Sequence, residues 1–458
     1  MTKGNWFLLI TSAILYALAF IVSQQLWWLV FVFPLPFFYV ALSGQLSFIA
    51  SYLWGIIVFS LHLSGLLFSI VLLAKGSYFY RLIPPLFIVL YEAFFAAIIF
   101  WLARKVIAWL HLASNLFYKV LIWVAALWLF IHWIDWYCLW IFDRCEGYFF
   151  MHPLLPLVMQ PRLLRLLPII GKGLLSILLL MVPAWVTIAL KTKKQYAIIA
   201  TILFSLPWFI SWFLPMAPSQ PPAWVTKIVV LPVMFPHSVD LTSAMNAAGD
   251  QFRNILYQYP QVELIIMPES SFSCNSLSMS SLSGLWDVGH LGCSIDVVVG
   301  AFRWKKGKYF NSLHWVRNGI VQTCFDKRHV MILIERIPSW FDFWFIHNLY
   351  FKAVPEISPA QDKRPLLSIM KETAFVPYIC SELFFNEWPD DVYPDIPILA
   401  ICNDIWVCSL AYLSYVKTLM CLAAKFKAIQ WQRNIVYVAF SQAVFFDEHG
   451  NETNLLRK

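Results

Sequence analysis

The sequence predicts a membrane α-helical bundle of about seven transmembrane helices joined to an extracytoplasmic α/β domain. Three observations carry this. The 458 residues are 60% hydrophobic and 13% charged, too apolar for one water-soluble domain. The charges are unevenly placed, with 17 Asp, Glu, Lys and Arg in residues 1–216 and 41 in residues 217–458. The first segment is built of apolar runs, whereas the second alternates short β-branched runs with turns.

Runs of about 20 apolar residues, the length of helix that crosses a bilayer core, recur at 5–22, 25–43, 48–74, 83–103, 118–141, 173–190 and 196–214. The first has no small-residue cleavage site behind it and is read as a retained helix. Seven crossings leave the chain ends on opposite sides. Lys3, Arg104, Lys105, Lys119, Lys191, Lys193 and Lys194 share one side. Lys75, Arg81, Arg144, Arg162, Arg165 and Lys172 share the other. This slight excess makes the first side cytoplasmic and the C-terminal domain extracytoplasmic. Glu92, His132 and Asp135 are costly in lipid and either face the bundle interior or sit near helix ends.

Pro215, Pro218, Pro221 and Pro222 mark the boundary, giving a helical domain at 1–216, a linker at 217–226 and a second domain at 227–458. Strands are expected at 227–231, 262–267, 295–301, 312–316, 320–325, 375–380, 398–402 and 434–440, with helices at about 240–258 and 410–430. Nine cysteines lack CxxC or Cys/His ligand spacing, so neither a disulfide framework nor a zinc site is expected. Cys274 with Cys293 is the first pair to test for a bridge. No Gly-rich phosphate loop or internal repeat is found.

Three chemically different groups stand at ends of these expected strands. Glu269 follows one proline after the run 262–267, where burial raises a carboxyl toward the pKa of a working general base. Lys327 follows the run 320–325, where an ammonium stabilises a developing oxyanion and lowers the pKa of a thiol. Cys380 ends the run 375–380, at a sharp turn expected to hold its sulfur exposed as a nucleophile. Each alone is ordinary for a turn or a strand end. Their shared position at strand ends, where open α/β sheets gather their sites, singles them out.

The segments Ile265-Ile266-Met267-Pro268-Glu269-Ser270, Tyr309-Phe310-Asn311-Ser312, Phe325-Asp326-Lys327-Arg328-His329 and Ile379-Cys380-Ser381-Glu382 resemble the landmarks of the nitrilase, or carbon-nitrogen hydrolase, superfamily. With membrane helices in front, the chain resembles the apolipoprotein N-acyltransferase family. Asn403-Asp404-Ile405-Trp406 is similar to that family's Asn-Asp-Ala-Trp, and Glu335 falls eight residues after Lys327, as its second glutamate does. The resemblance implies a nitrilase-like αββα sandwich in the bacterial inner membrane, facing the periplasm. It implies no metal or organic cofactor, and no nucleic-acid partner. It also implies a reaction in which Cys380 takes an acyl chain from phospholipid as a thioester and passes it to the N-terminal amine of an S-diacylglyceryl-cysteine lipoprotein. Glu269 is then the base, Lys327 the oxyanion donor, Glu335 an orienting group and Glu382 the support of the turn behind the nucleophile.

Departures from the family concentrate around the substrate. Ser381 replaces a tyrosine, Val407 and Cys408 replace Phe-Gly, and the loop 329–334 lacks the family's Pro and Gly. A last membrane helix is expected to be missing. Trp340, Phe341, Phe343, Trp344 and Phe345, with Tyr350 and Phe351, put seven aromatics into twelve residues, read as either a buried core segment or a lipid-facing lid. Two other readings stay open: a membrane-bound amidase or acyltransferase with a different acceptor, and a catalytically silent scaffold.

Overall fold

The computed structural model describes residues 1–73, 78–112, 115–141, 152–192, 195–214, 220–235, 241–272, 295–330, 335–336, 356–360, 364–370, 373–384, 395–407 and 414–458. Two compact units result. One comprises Met1–Met216 with Val407–Gln430, and the other Ala217–Trp406 with Trp431–Lys458. The helix Tyr415–Trp431, expected within the second domain, thus falls almost wholly in the first unit. The Tyr415 hydroxyl donates to the carbonyl of His62 and accepts from the Gly65 amide.

The described residues of each apolar run in the first unit are mostly helical, but the runs are not equivalent. Lys3–Ile21, Arg81–Trp109, Leu167–Thr192 and Gln195–Phe213 are long and apolar enough to cross a membrane. The second expected span is divided into Ser23–Leu26, Leu29–Val32 and Pro34–Leu42, and the third ends at His62 before a separate helix Ser64–Leu73. Among the described residues four helices therefore meet the length criterion where seven were expected. Inside the unit, Phe37, Trp54, Phe100, Trp123 and Phe130 form a buried aromatic cluster. Gly55 lets the helix Phe48–His62 approach Tyr78–Trp109, since a Cβ there would lie 2.9 Å from the Ala93 Cα.

The second unit contains two sheets. One has the order β11-β1-β2-β3-β4-β5, from β1 (Ile228–Val230), β2 (Leu264–Phe272), β3 (Asp296–Lys305), β4 (Lys308–Arg317), β5 (Ile320–Asp326) and β11 (Leu456–Arg457). The other has the order β10-β9-β8-β7-β6, from β6 (Val376–Ile379), β7 (Ile398–Ile401), β8 (Ile435–Val438), β9 (Ala443–Phe446) and β10 (Glu452–Asn454). β2 lies against β7 and β8, and β4 against β6, so the sheets face one another. The helix Leu241–Gln258 covers the outer side of the first sheet through Ala244, Ala248, Phe252 and Ile255, packed on Val229, Ile265, Val297 and Val299. The parallel strands β1, β6, β7 and β8 are buried throughout, which explains why they read as continuous apolar runs. Each such buried aliphatic side chain contributes about 1.5–3 kcal/mol.

Candidate active site

Glu269 does not follow a strand end, as the sequence led us to expect. β2 runs on through it to Phe272, with a register shift against β3 between Met267 and Phe272 and a left-handed Ser270 (φ 60°). This bulge is accommodated by Gly300 of β3, where an added Cβ would stand 2.4 Å from both the Glu269 Cα and the Pro268 carbonyl oxygen. The carboxylate is aimed inward and is 3% exposed. Its Oε1 accepts from Asn311 Nδ2 at 2.5 Å and its Oε2 from the Asn403 backbone amide at 2.7 Å. Burial pushes its pKa up; Lys327 opposes that, and Glu335 adds to it.

Lys327 leaves β5 and its backbone amide donates to the Asn311 carbonyl at 2.8 Å. Its Nζ lies 3.3 Å from Glu269 Oε1 and 2.8 Å from Glu335 Oε2. Burial works against this ammonium, but the two carboxylates hold its pKa well above the ordinary value. Glu335 is anchored in turn by its carbonyl, which accepts from the Ile357 amide at 2.8 Å. Asn311 Nδ2 donates to Glu335 Oε1 at 2.8 Å as well as to Glu269. Two carboxylates, one ammonium and one amide thus form a closed network.

Cys380 is the first residue after β6, with φ 47°, and opens the short 3₁₀ helix Cys380–Phe384. A non-glycine residue in this region is strained and needs surrounding structure to hold it. Glu382 supplies that support from full burial: its carboxylate accepts from the Ile379 amide at 2.7 Å and the Arg328 amide at 2.8 Å, with Arg364 Nη1 at 3.4 Å. Ser381 Oγ donates to the His329 carbonyl at 3.0 Å. The turn is sharp, as expected, but Cys380 is only 3% exposed rather than displayed on a surface. Both Glu269 and Cys402 act on its thiol. The Cys402 contact, burial and the Glu269 charge together push the Cys380 thiol well above its ordinary range, outweighing Lys327. Lys327 does pull the thiol down, as expected, but these other causes are larger.

The remaining expected residues divide. The Asn403 amide binds Glu269, and its side chain accepts from the Ile405 amide at 3.0 Å. Asp404 accepts the backbone amide and hydroxyl of Ser441, tying the end of β7 to the segment between β8 and β9. Trp406 is half-buried in the turn that follows. The aromatic residues Trp340, Phe341, Phe343, Trp344 and Phe345, like Cys274 and Cys293, lie outside the described residues. In the helical unit, His132 Nδ1 contacts the Trp128 carbonyl at 3.0 Å and its ring meets that of His152 at 5.0 Å. Among the described residues no group of three His, Cys, Asp or Glu is placed to hold a metal ion.

Sequence reasoning missed three contributors. Asn311 was visible only as part of a motif, Gly300 as an ordinary strand glycine, and Cys402 as one scattered cysteine among nine. A carboxyl, a thiol and an ammonium are the groups that acyl transfer through a thiol needs as base, nucleophile and oxyanion donor.

No family model matches the chain, and no curated protein matches it in sequence. Solved structures do. A carbon-nitrogen hydrolase from Helicobacter pylori G27 is 10% identical, with a TM-score of 0.34 over 50% of this chain and 85% of that one. Saccharomyces cerevisiae Nit3, a member of branch 10 of the nitrilase superfamily, is 14% identical, with a TM-score of 0.33 over 50% of this chain and 84% of that one. XC1258 from Xanthomonas campestris, a CN-hydrolase superfamily protein, is 19% identical, with a TM-score of 0.32 over 49% of this chain and 83% of that one. These three structures are described as carbon-nitrogen hydrolase or nitrilase-superfamily proteins.

Proposed function

We propose that the protein is a membrane-anchored N-acyltransferase that works through a thioester on Cys380. The observation that supports this best is the convergence of Glu269, Lys327, Glu335 and Cys380, drawn from segments up to 111 positions apart, into one buried network. Glu269 takes the thiol proton while the sulfur attacks the ester carbonyl of a phospholipid, and Lys327 stabilises the tetrahedral oxyanion. The C–O bond then breaks, the lysophospholipid leaving with the proton held by Glu269. In the second half-reaction the α-amine of an S-diacylglyceryl-cysteine lipoprotein attacks the thioester. Glu269 takes the amine's proton and returns it to the departing sulfur, leaving an amide and a free thiol. The protein would sit in the bacterial inner membrane with this site toward the periplasm. The aromatic segment 340–345 would admit the lipid.

A second reading, an amidase or acyltransferase with a different amine acceptor, is favoured by Ser381. This small residue is fully buried against the His329 carbonyl at a position where the resembled family has tyrosine. One experiment separates the two. Purified protein loaded from phospholipid is given a diacylglyceryl lipopeptide, and the lipopeptide is followed by mass spectrometry. Gain of one acyl chain on its α-amine supports the first reading. A loaded enzyme that leaves the lipopeptide unchanged sinks it in favour of the second.

A further inference from the structure

Cys402 is the first residue after β7, as Cys380 is after β6, and the two strands are parallel neighbours with Ile379 paired to Ile401. The next position on each strand is therefore a cysteine. Cys402 keeps the ladder geometry, its amide donating to the Val438 carbonyl at 2.7 Å. Cys380 turns out of the ladder at φ 47°, and Cys402 remains near enough to act on its thiol. Both are free thiols, 3% and 0% exposed. Neighbouring strands lie about 4.7–4.9 Å apart. Ile379 and Ile401 are paired at that spacing, so the two cysteines start from neighbouring backbone, and a disulfide closes over about 4.4–6.8 Å between Cα atoms.

A sulfur equipped to attack a carbonyl also attacks a peroxide, because the same deprotonation by Glu269 serves both. We propose that Cys402 is a resolving thiol for Cys380, and that the two form a reversible disulfide that holds the nucleophile inactive and guards it against irreversible oxidation. The Cys380 sulfur attacks one oxygen of a peroxide, the O–O bond breaks, water or an alcohol leaves, and a sulfenic acid remains. The Cys402 sulfur then attacks that sulfenic sulfur, the S–O bond breaks, and water departs with the Cys402 proton. A thiol reductant returns both cysteines to thiols with two electrons and two protons. Nothing in this sequence depends on which acyl donor or acceptor the protein uses.

The test uses the full chain in detergent, reduced, freed of reductant and treated with hydrogen peroxide. It is then alkylated and digested without reduction for mass spectrometry. The expected product is a peptide pair joined through Cys380 and Cys402, with alkylation of Cys380 lost and then recovered after dithiothreitol. In Cys402→Ser and Cys402→Ala the same treatment carries Cys380 to sulfinic and sulfonic acid, which dithiothreitol does not recover. Wild-type protein whose Cys380 over-oxidises as fast as in these variants overturns the proposal. So does a disulfide from Cys380 to any other cysteine. Should neither variant fold, presence or absence of the wild-type cross-link decides.

Discussion

Asn311 Nδ2 donates at once to Glu269 Oε1 at 2.5 Å and to Glu335 Oε1 at 2.8 Å, so one amide joins two carboxylates that also share Lys327. Buried carboxylates this close repel unless donors and a cation lie between them. Replacing Asn311 by Leu removes the donor while keeping the size. The expected cost is about 1–3 kcal/mol of stability together with roughly a hundredfold slower acylation of Cys380. Thermal unfolding and the rate of adduct formation measure the two. A variant that acylates at the wild-type rate would remove Asn311 from the site.

Gly300 is needed for space. An added Cβ would stand 2.4 Å from the Glu269 Cα and the Pro268 carbonyl oxygen, both backbone atoms that cannot swing aside. Gly300→Ala is expected to displace the bulge, costing about 1–3 kcal/mol as overpacking does, and to slow acylation through misplacement of Glu269. Unfolding midpoints and acylation rates, compared with those of Gly249→Ala on an open helix surface, provide the check.

The pH dependence follows from Glu269. Its carboxyl is pushed up by burial, and only its ionised form accepts the thiol proton. The acylation rate should therefore rise with pH through a midpoint above that of an ordinary glutamate, and level off once Glu269 is ionised. Glu269→Gln should both lower the rate and abolish this limb. A wild-type profile that falls across the same range would contradict the assignment of Glu269 as base.

His314, fully buried on β4, has its pKa pushed down to about 4, chiefly by burial and then by Arg303. The unfolded chain binds a proton near pH 6.5 that the folded chain does not take up until about pH 4. Stability is thus fully present above 6.5 and falls as the pH drops toward 4, by about 3 kcal/mol in all. His314→Gln should flatten this part of the stability curve in urea titrations across pH 4–7. Equal slopes for the two proteins would show that other groups govern it.

How far the site was legible in sequence depends on the distance over which each feature is determined. The apolar runs became helices because hydropathy is a local property. The breaks after Leu26 and His62 were missed because composition does not reveal where a run divides. Glu269, Lys327, Glu335 and Cys380 were found through motifs and strand ends, and the structure brings them together. Their protonation was not legible. The Cys380 thiol lies higher than Lys327 alone would place it, because Cys402 and burial act on it from elements that only strand register brings near. The passage of β2 through Glu269 depends on Gly300 in the next strand, which no local pattern announces. The strands β9, β10 and β11 are only four, three and two residues long, too short for alternation to stand out.

The proposed thioester on Cys380 is read from the mass of the intact protein after incubation with phospholipid. The expected result is an increase of one fatty acyl chain, located on Cys380 by peptide mapping, released by hydroxylamine and absent from Cys380→Ala. Folded wild-type protein that gains no such mass, or a Cys380→Ala variant that gains it equally, would rule out the thioester.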